Sequence, residues 1–194
     1  MTKSIDFYFD FISPYSYLAY YRLKSLKDYK KININYKPIL LGGLHKLGGI
    51  TAPAFNERKL KNMKFDCNLV AIKNKIPFFW NINFPINSLY LMRGYLAINN
   101  DLKIKYFESF FNAYWKNNID ISIEKNVSNI LEDLEIDKKK FFKVVQKIEI
   151  KDELRKLTNL AFENNVFGAP TFIVNKKIFW GQDRLDYALE EYNA

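Results

Sequence analysis

The sequence predicts an α/β fold made of a β-α-β opening, a long all-helical block and a β-β-α ending. Three observations carry that prediction. Strand-like alternation near the N-terminus runs into a proline-started helix, apolar residues recur at helical spacing from Leu60 to Ala161, and strand pattern returns after Gly168-Ala169-Pro170. With 48% hydrophobic and 17% aromatic residues, the 194-residue chain can fill a large core without disulfides or metals, and that composition excludes disorder.

Ser4-Ile5-Asp6-Phe7-Tyr8-Phe9-Asp10-Phe11 alternates and is rich in aromatics, as a strand does. A helix follows with Ser13 as N-cap and Pro14 at its first position, carrying Leu18, Ala19, Leu23 and Leu26 on one face. A second strand reads from Ile32 to about Leu40, and a strand-helix-strand unit of this kind implies parallel pairing. Gly42-Gly43 through Gly48-Gly49 reads as a loop. Helices are then expected around Leu60–Val70, Leu89–Leu96, Ile104–Tyr114, Val127–Leu134 and Ile150–Ala161, with Phe78-Phe79-Trp80 in a loop between Pro77 and Pro85. The ending is a strand over Thr171–Val174, an Asn175-Lys176-Lys177 turn, a strand over Ile178–Trp180, and a helix holding Leu185, Ala188 and Leu189. No repeat, low-complexity tract or long linker interrupts the chain, so 1–194 reads as a single domain.

Composition narrows the partners. The net charge of +9 comes from lysines spread along helices, with no aromatic-interleaved basic arm and no recognised nucleic-acid motif. It mildly favours an anionic ligand and argues against nucleic acid. No apolar run is long enough to suggest a transmembrane helix, and Met1-Thr2-Lys3-Ser4 leads straight into the first strand with no signal-peptide pattern. The expected location is cytoplasmic, which suits the lone Cys67: one cysteine cannot form an internal disulfide or a C-x-x-C pair. Cys67 shares helical spacing with Leu60, Met63 and Val70 and reads as a small buried hydrophobe. His45, the single histidine, reads as a loop residue with no ligand cluster around it, so no metal is expected.

The order β-α-β then β-β-α is that of a thioredoxin fold, and two local features suit it. Ser13-Pro14-Tyr15-Ser16 stands where a thiol oxidoreductase would carry C-P-x-C, and Pro170 precedes the third strand, where this fold places a cis proline. Four blocks then show a more specific likeness. They are Phe7-Tyr8-Phe9-Asp10-Phe11-Ile12-Ser13-Pro14-Tyr15-Ser16-Tyr17-Leu18-Ala19, Lys37-Pro38-Ile39-Leu40-Leu41-Gly42-Gly43 and Pro85-Ile86-Asn87-Ser88-Leu89, closing with Phe167-Gly168-Ala169-Pro170-Thr171-Phe172 and Phe179-Trp180-Gly181-Gln182-Asp183-Arg184-Leu185. Taken in order, they resemble the 2-hydroxychromene-2-carboxylate isomerases and kappa-class glutathione S-transferases. The last block is nearer the isomerase branch.

The resemblance implies a DsbA-like architecture: a thioredoxin-like part over about 1–50 and 166–194, an all-helical insertion over about 51–165, and a homodimer. It implies glutathione as cofactor and a small, aromatic or electrophilic second substrate. It also assigns residues. Ser13 would hold the glutathione thiolate, Ala169 before Pro170 would pair its backbone with the cysteinyl unit, Gln182 and Asp183 would hold the γ-glutamyl end, and Lys59 would meet the glycine carboxylate. Asn87, Trp180 and Tyr15 would face the second substrate.

Plainer readings stand beside these. Ser13, Asp183 and Asn87 can each be a helix cap, and Trp180, Tyr15 and Phe78 can be core. The sequence departs from the family at Ile50, where an Asn usually contacts glutathione. The leading expectation is glutathione-dependent isomerisation. Net conjugation is the first alternative, and a non-catalytic thiol- or peptide-binding module is the second. A disulfide oxidoreductase is excluded by the missing C-x-x-C.

Overall fold

The computed structural model describes residues 3–194; Met1 and Thr2, where the reading of the N-terminus begins, lie outside that range. The chain opens with β1 (Ile5–Phe9), α1 (Pro14–Lys24) and β2 (Ile34–Pro38). Seven helices follow: α2 (Leu41–Leu47), α3 (Glu57–Lys73), α4 (Leu89–Ala97), α5 (Lys103–Trp115), α6 (Glu124–Asp133), α7 (Lys138–Val144) and α8 (Ile148–Glu163). The chain closes with β3 (Thr171–Val174), β4 (Lys177–Trp180) and α9 (Leu185–Asn193). The strands form one sheet in the order β2-β1-β3-β4. β1 runs parallel to β2, with Phe7 opposite Tyr36, and antiparallel to β3, with Phe7 opposite Phe172. This is a thioredoxin-like sheet, and the expected fold class holds.

Side chains alternate across a strand, so Phe7 and Phe9 leave β1 on one face and Tyr8 on the other. The first face packs into an aromatic core: Phe9 meets Phe107 edge-on at 4.7 Å, and Phe7 stacks on Phe172 at 5.0 Å. Each such buried ring contributes about 1.5–3 kcal/mol. Tyr8 joins Ile39, Leu44, Ala161 and Val166 in a smaller cluster under α2 and α8. Both faces of the sheet are therefore covered. The indole of Trp115 donates to the Phe11 carbonyl at 2.9 Å, fixing the exit of β1 where the site begins.

Three local expectations need correction. The glycine-rich segment after β2 is not a loop: residues 41–47 form α2, because Leu44 buries against Ile39 and Ala161 and so supplies tertiary support that glycine-rich sequence lacks. Glycine punctuates that helix at its end, where Gly49 takes φ +64°. The helix expected to reach Leu134 ends at Asp133. Glu135 takes φ 57°, and a further helix, α7, starts with Asp137 as its N-cap, accepting from the Lys140 amide at 3.0 Å. β1 and β2 are shorter than read, β2 because Ile32 closes a 3₁₀ turn rather than pairing, while β4 starts one residue earlier, at Lys177.

Candidate active site

The turn between β1 and α1 is built around Ser13. Its backbone is extended (φ −86°, ψ 109°), and its hydroxyl oxygen accepts from the Ser16 amide at 3.1 Å, as an N-cap does. Pro14 starts the helix without requiring an amide partner. The Ser13 hydroxyl also donates to the Ala169 carbonyl at 2.8 Å, and the Ala169-Pro170 peptide is cis, as the fold led us to expect. One bond therefore joins the N-terminus of α1 to the segment entering β3, across 156 residues of sequence. Ser13 is 3% exposed.

Behind this turn lies Asp10, fully buried. Its carboxylate accepts from the Ile12 amide at 3.1 Å and the Leu41 amide at 2.8 Å, with the Ser88 side chain and the Phe11 amide beside it. Burial pushes its pKa up, and these donors oppose the shift. Its carbonyl accepts from the Ser13 amide at 3.0 Å.

Ser13 opens into a cavity of about 560 Å³. One side is made by Ile12–Tyr15, Phe167–Ala169 and Trp180; the other by Leu40–Gly43, His45, Ile50–Phe55, Lys59, Met63 and Phe84–Ser88. Of the residues singled out from sequence, Ser13, Tyr15, Lys59, Asn87, Ala169 and Trp180 all line it. Lys59 lies exposed in the first turn of α3, which Asn56 caps at 3.0 Å. Asn87 accepts from the Leu89 amide at 3.0 Å, so it closes the turn into α4 as well as facing the cavity. Tyr15 has its phenol beside Asp66 and Cys67, and burial with these neighbours pushes its pKa up. Trp180 is 52% exposed, and its indole nitrogen would lie 2.4 Å from a Cβ on Gly168, so only glycine lets it lie there.

Pro170, Gln182 and Asp183 do not line the cavity. Pro170 is buried beside it, and its carbonyl accepts from the Gly181 amide at 3.0 Å. Gln182 is buried and accepts from Arg22 at 3.0 Å. Asp183 is exposed, 3.4 Å from the Arg184 guanidinium, just after Gly181, whose φ of +110° favours glycine. Phe78 stacks on Trp115 at 5.7 Å as a core residue. Ile50 lines the cavity and offers it an apolar side chain.

Two residues escaped the sequence reading. His45 lies on α2, not in a loop, and lines the cavity, with burial holding its pKa below the usual value. Asp10 stands in the opening block with no role assigned to it from sequence. The available signal was its position, a lone acid between Phe9 and Phe11 at the end of a buried strand. Among the described residues no carboxylate lines the cavity, while Lys59 and His45 do, so the chamber suits an anionic ligand. Cys67 is buried in the core and burial pushes its thiol up, which leaves it inert.

Comparison with known proteins agrees. The family model described as a DSBA-like thioredoxin domain matches residues 4–193. The 2-hydroxychromene-2-carboxylate isomerase of Sphingobium xenophagum is 34% identical over 99% of this chain and 98% of its own. Human glutathione S-transferase kappa 1 is 23% identical over 96% of this chain and 89% of its own. A solved structure of a 2-hydroxychromene-2-carboxylate isomerase superposes with a TM-score of 0.87 at 28% identity, covering 97% of this chain and 94% of that one. The chain therefore belongs to the DsbA-like thioredoxin family, as an enzyme of its branch of 2-hydroxychromene-2-carboxylate isomerases and kappa-class glutathione transferases.

Proposed function

We propose that this protein is a glutathione-dependent isomerase resembling 2-hydroxychromene-2-carboxylate isomerase, working through a glutathione thiolate held by Ser13. The observation that carries this is the Ser13 hydroxyl at the start of α1, bonded to Ala169 beside the cis Pro170 at the wall of the cavity. The residues suit the cofactor: among the described residues the chamber is lined by the Lys59 ammonium and by no carboxylate, and a backbone carbonyl stands beside a hydroxyl donor.

Bound glutathione would supply a thiolate able to add reversibly to a conjugated substrate, so that the former double bond could rotate before elimination. Ser13 is too weakly acidic to be a base. Its role is to turn its proton from the Ala169 carbonyl toward sulfur, while the Ser16 amide keeps the oxygen in place. That same turn frees the Ala169 carbonyl to accept from the cysteinyl amide. The N-terminal end of the α1 dipole adds a favourable field for negative charge. Lys59, which lines the cavity, would meet the glycine carboxylate. Gln182 and Asp183, outside the cavity and next to the Pro170–Gly181 bond, would hold the γ-glutamyl end where it leaves the chamber. Tyr15, Asn87 and Trp180 form the walls for the second substrate.

Net conjugation is the second reading, supported by the kappa-class relatives; the higher identity of the isomerases favours the first. A stable thioether product would decide for transfer. A homodimer and a cytoplasmic setting, which the lone buried Cys67 supports, complete the reading. The testing measurement is the ultraviolet thiolate absorbance of glutathione against pH, with wild type and with Ser13→Ala. A thiol pKa well below the free value, ~8.5 for a cysteine thiol, in wild type alone supports the reading. A wild type that leaves it unperturbed overturns catalysis and favours the non-catalytic binding module.

A further inference from the structure

We infer that Asp10 is a positioning residue for this site: its buried carboxylate holds the Ser13 turn, the start of α2 and the Ser88 segment in one arrangement, and so sets how strongly Ser13 stabilises the thiolate. This rests on the glutathione reading above. The geometry is direct. The Asp10 carbonyl accepts from the Ser13 amide at 3.0 Å, and its two carboxylate oxygens accept separately from Ile12 at 3.1 Å and Leu41 at 2.8 Å. Helix α2 has no side-chain cap of its own, since Leu40 occupies its N-cap, so Asp10 serves the Leu41 amide from another strand. Ser88 occupies the N-cap of α4 but makes no cap bond there, and its side chain lies beside the Asp10 carboxylate. Two separate stretches of cavity wall are thus bonded to one carboxylate that itself does not reach the cavity, and the Ser88 stretch lies beside it.

Charge and position make opposite predictions. A buried negative charge near the thiolate opposes it, so removing that charge alone would lower the bound thiol pKa further. Loss of position moves Ser13 and the α1 amides off the sulfur and raises it. In Asp10→Asn one carboxylate oxygen becomes an NH₂ donor, which must face either the Ile12 or the Leu41 amide, so one wall is released while volume is kept.

The experiment is the glutathione thiolate titration on wild type, Asp10→Asn, Ser88→Ala and Ser88→Thr, with near-ultraviolet circular dichroism to show each is folded. In Asp10→Asn the bound thiol pKa is expected to rise by about one unit above wild type, a shift of the size a misplaced hydrogen bond to a charged group produces. Ser88→Ala is expected to move the same way by less, and Ser88→Thr, which keeps the hydroxyl, to match wild type. An unchanged or lowered pKa in folded Asp10→Asn overturns the inference while leaving the thiolate site intact. Should Asp10→Asn not fold, a Ser88→Ala indistinguishable from wild type overturns it. A wild type that leaves glutathione unperturbed instead removes the functional reading, and this inference with it.

Discussion

On the sheet side of the cavity, Ser13 is 3% exposed and hydrogen-bonded at 2.8 Å to Ala169, with Asp10 buried behind it. On the helical side, Ile50 is 38% exposed and Phe55 76%, and Lys59 extends from the first turn of α3. The sheet side is preorganised: its polar groups face defined partners, so little rearrangement is needed to present a hydroxyl and a carbonyl to a thiol. The helical side carries large apolar groups held by few polar contacts, which suits a wall that adapts to the second substrate. On the proposed function the polar chemistry would centre on the sheet side, while the helical side would add Lys59 and apolar surface.

The comparison breaks most visibly at Ser13. On the proposed mechanism Ser13→Ala removes a hydrogen bond to a charged sulfur worth about 1.5–3 kcal/mol, so turnover is expected to fall about 10- to 100-fold. Glutathione affinity should change far less, and steady-state kinetics with a glutathione titration separates the two. Turnover equal to wild type would remove Ser13 from the mechanism.

Gly168→Ala tests whether the sheet side is as closely built as described. Its new Cβ would lie 2.4 Å from the Trp180 indole nitrogen, and the expected loss of about 1–3 kcal/mol should appear as a lowered Tm with altered tryptophan fluorescence. Phe55→Ala, at the opposite wall, is expected to change stability by no more than about 0.5 kcal/mol and to alter the KM of the second substrate. Similar Tm losses in the two variants would erase the contrast. Lys59→Ala should weaken glutathione binding by up to about fivefold, since exposed ion pairs contribute about 0.2–1 kcal/mol. That loss should shrink at high salt, which calorimetry in low and high salt reads directly.

The finest test is pH. Asp10 has its folded pKa raised by burial, so the folded state binds more protons than the unfolded chain between the ordinary value of 3.8 and the raised one. Its contribution to stability is full below that window and is lost as pH rises through it. Exposed Asp137, held down by the Lys140 amide, and Glu191, held down by Lys177, act in the opposite direction: their contribution is lost as pH falls. Thermal denaturation across the acidic range should therefore show a slope difference between wild type and Asp10→Asn of the Asp10 sign.

Much of this was legible in local pattern. Serine followed by proline is a helix start whatever surrounds it, and the alternation from Ile5 to Phe9 marks a strand because side chains on a pleat alternate. Spacing from Leu60 to Val70 placed α3, and the family resemblance placed Ala169 near Ser13. Helix α2 was hidden, because two glycines near its start weaken any propensity signal and the burial of Leu44 is a tertiary fact. His45 and Asp10 were hidden for the same reason.

The sequence by itself determined the order of elements, the serine in place of a reactive cysteine, and the absence of any dithiol chemistry, because capping residues, periodicity and residue identity act over a few neighbours. Only the tertiary structure decided that Asp10 gathers Ile12 and Leu41, that the Ser13 hydroxyl reaches Ala169, and that Lys59 and His45, and no acidic side chain among the described residues, line the cavity. Those contacts join residues far apart in the chain. They exist because burying the aromatic face of β1 against α5 and covering its other face with α2 and α8 brings the segments together, and no local rule of sequence encodes where two distant segments will meet.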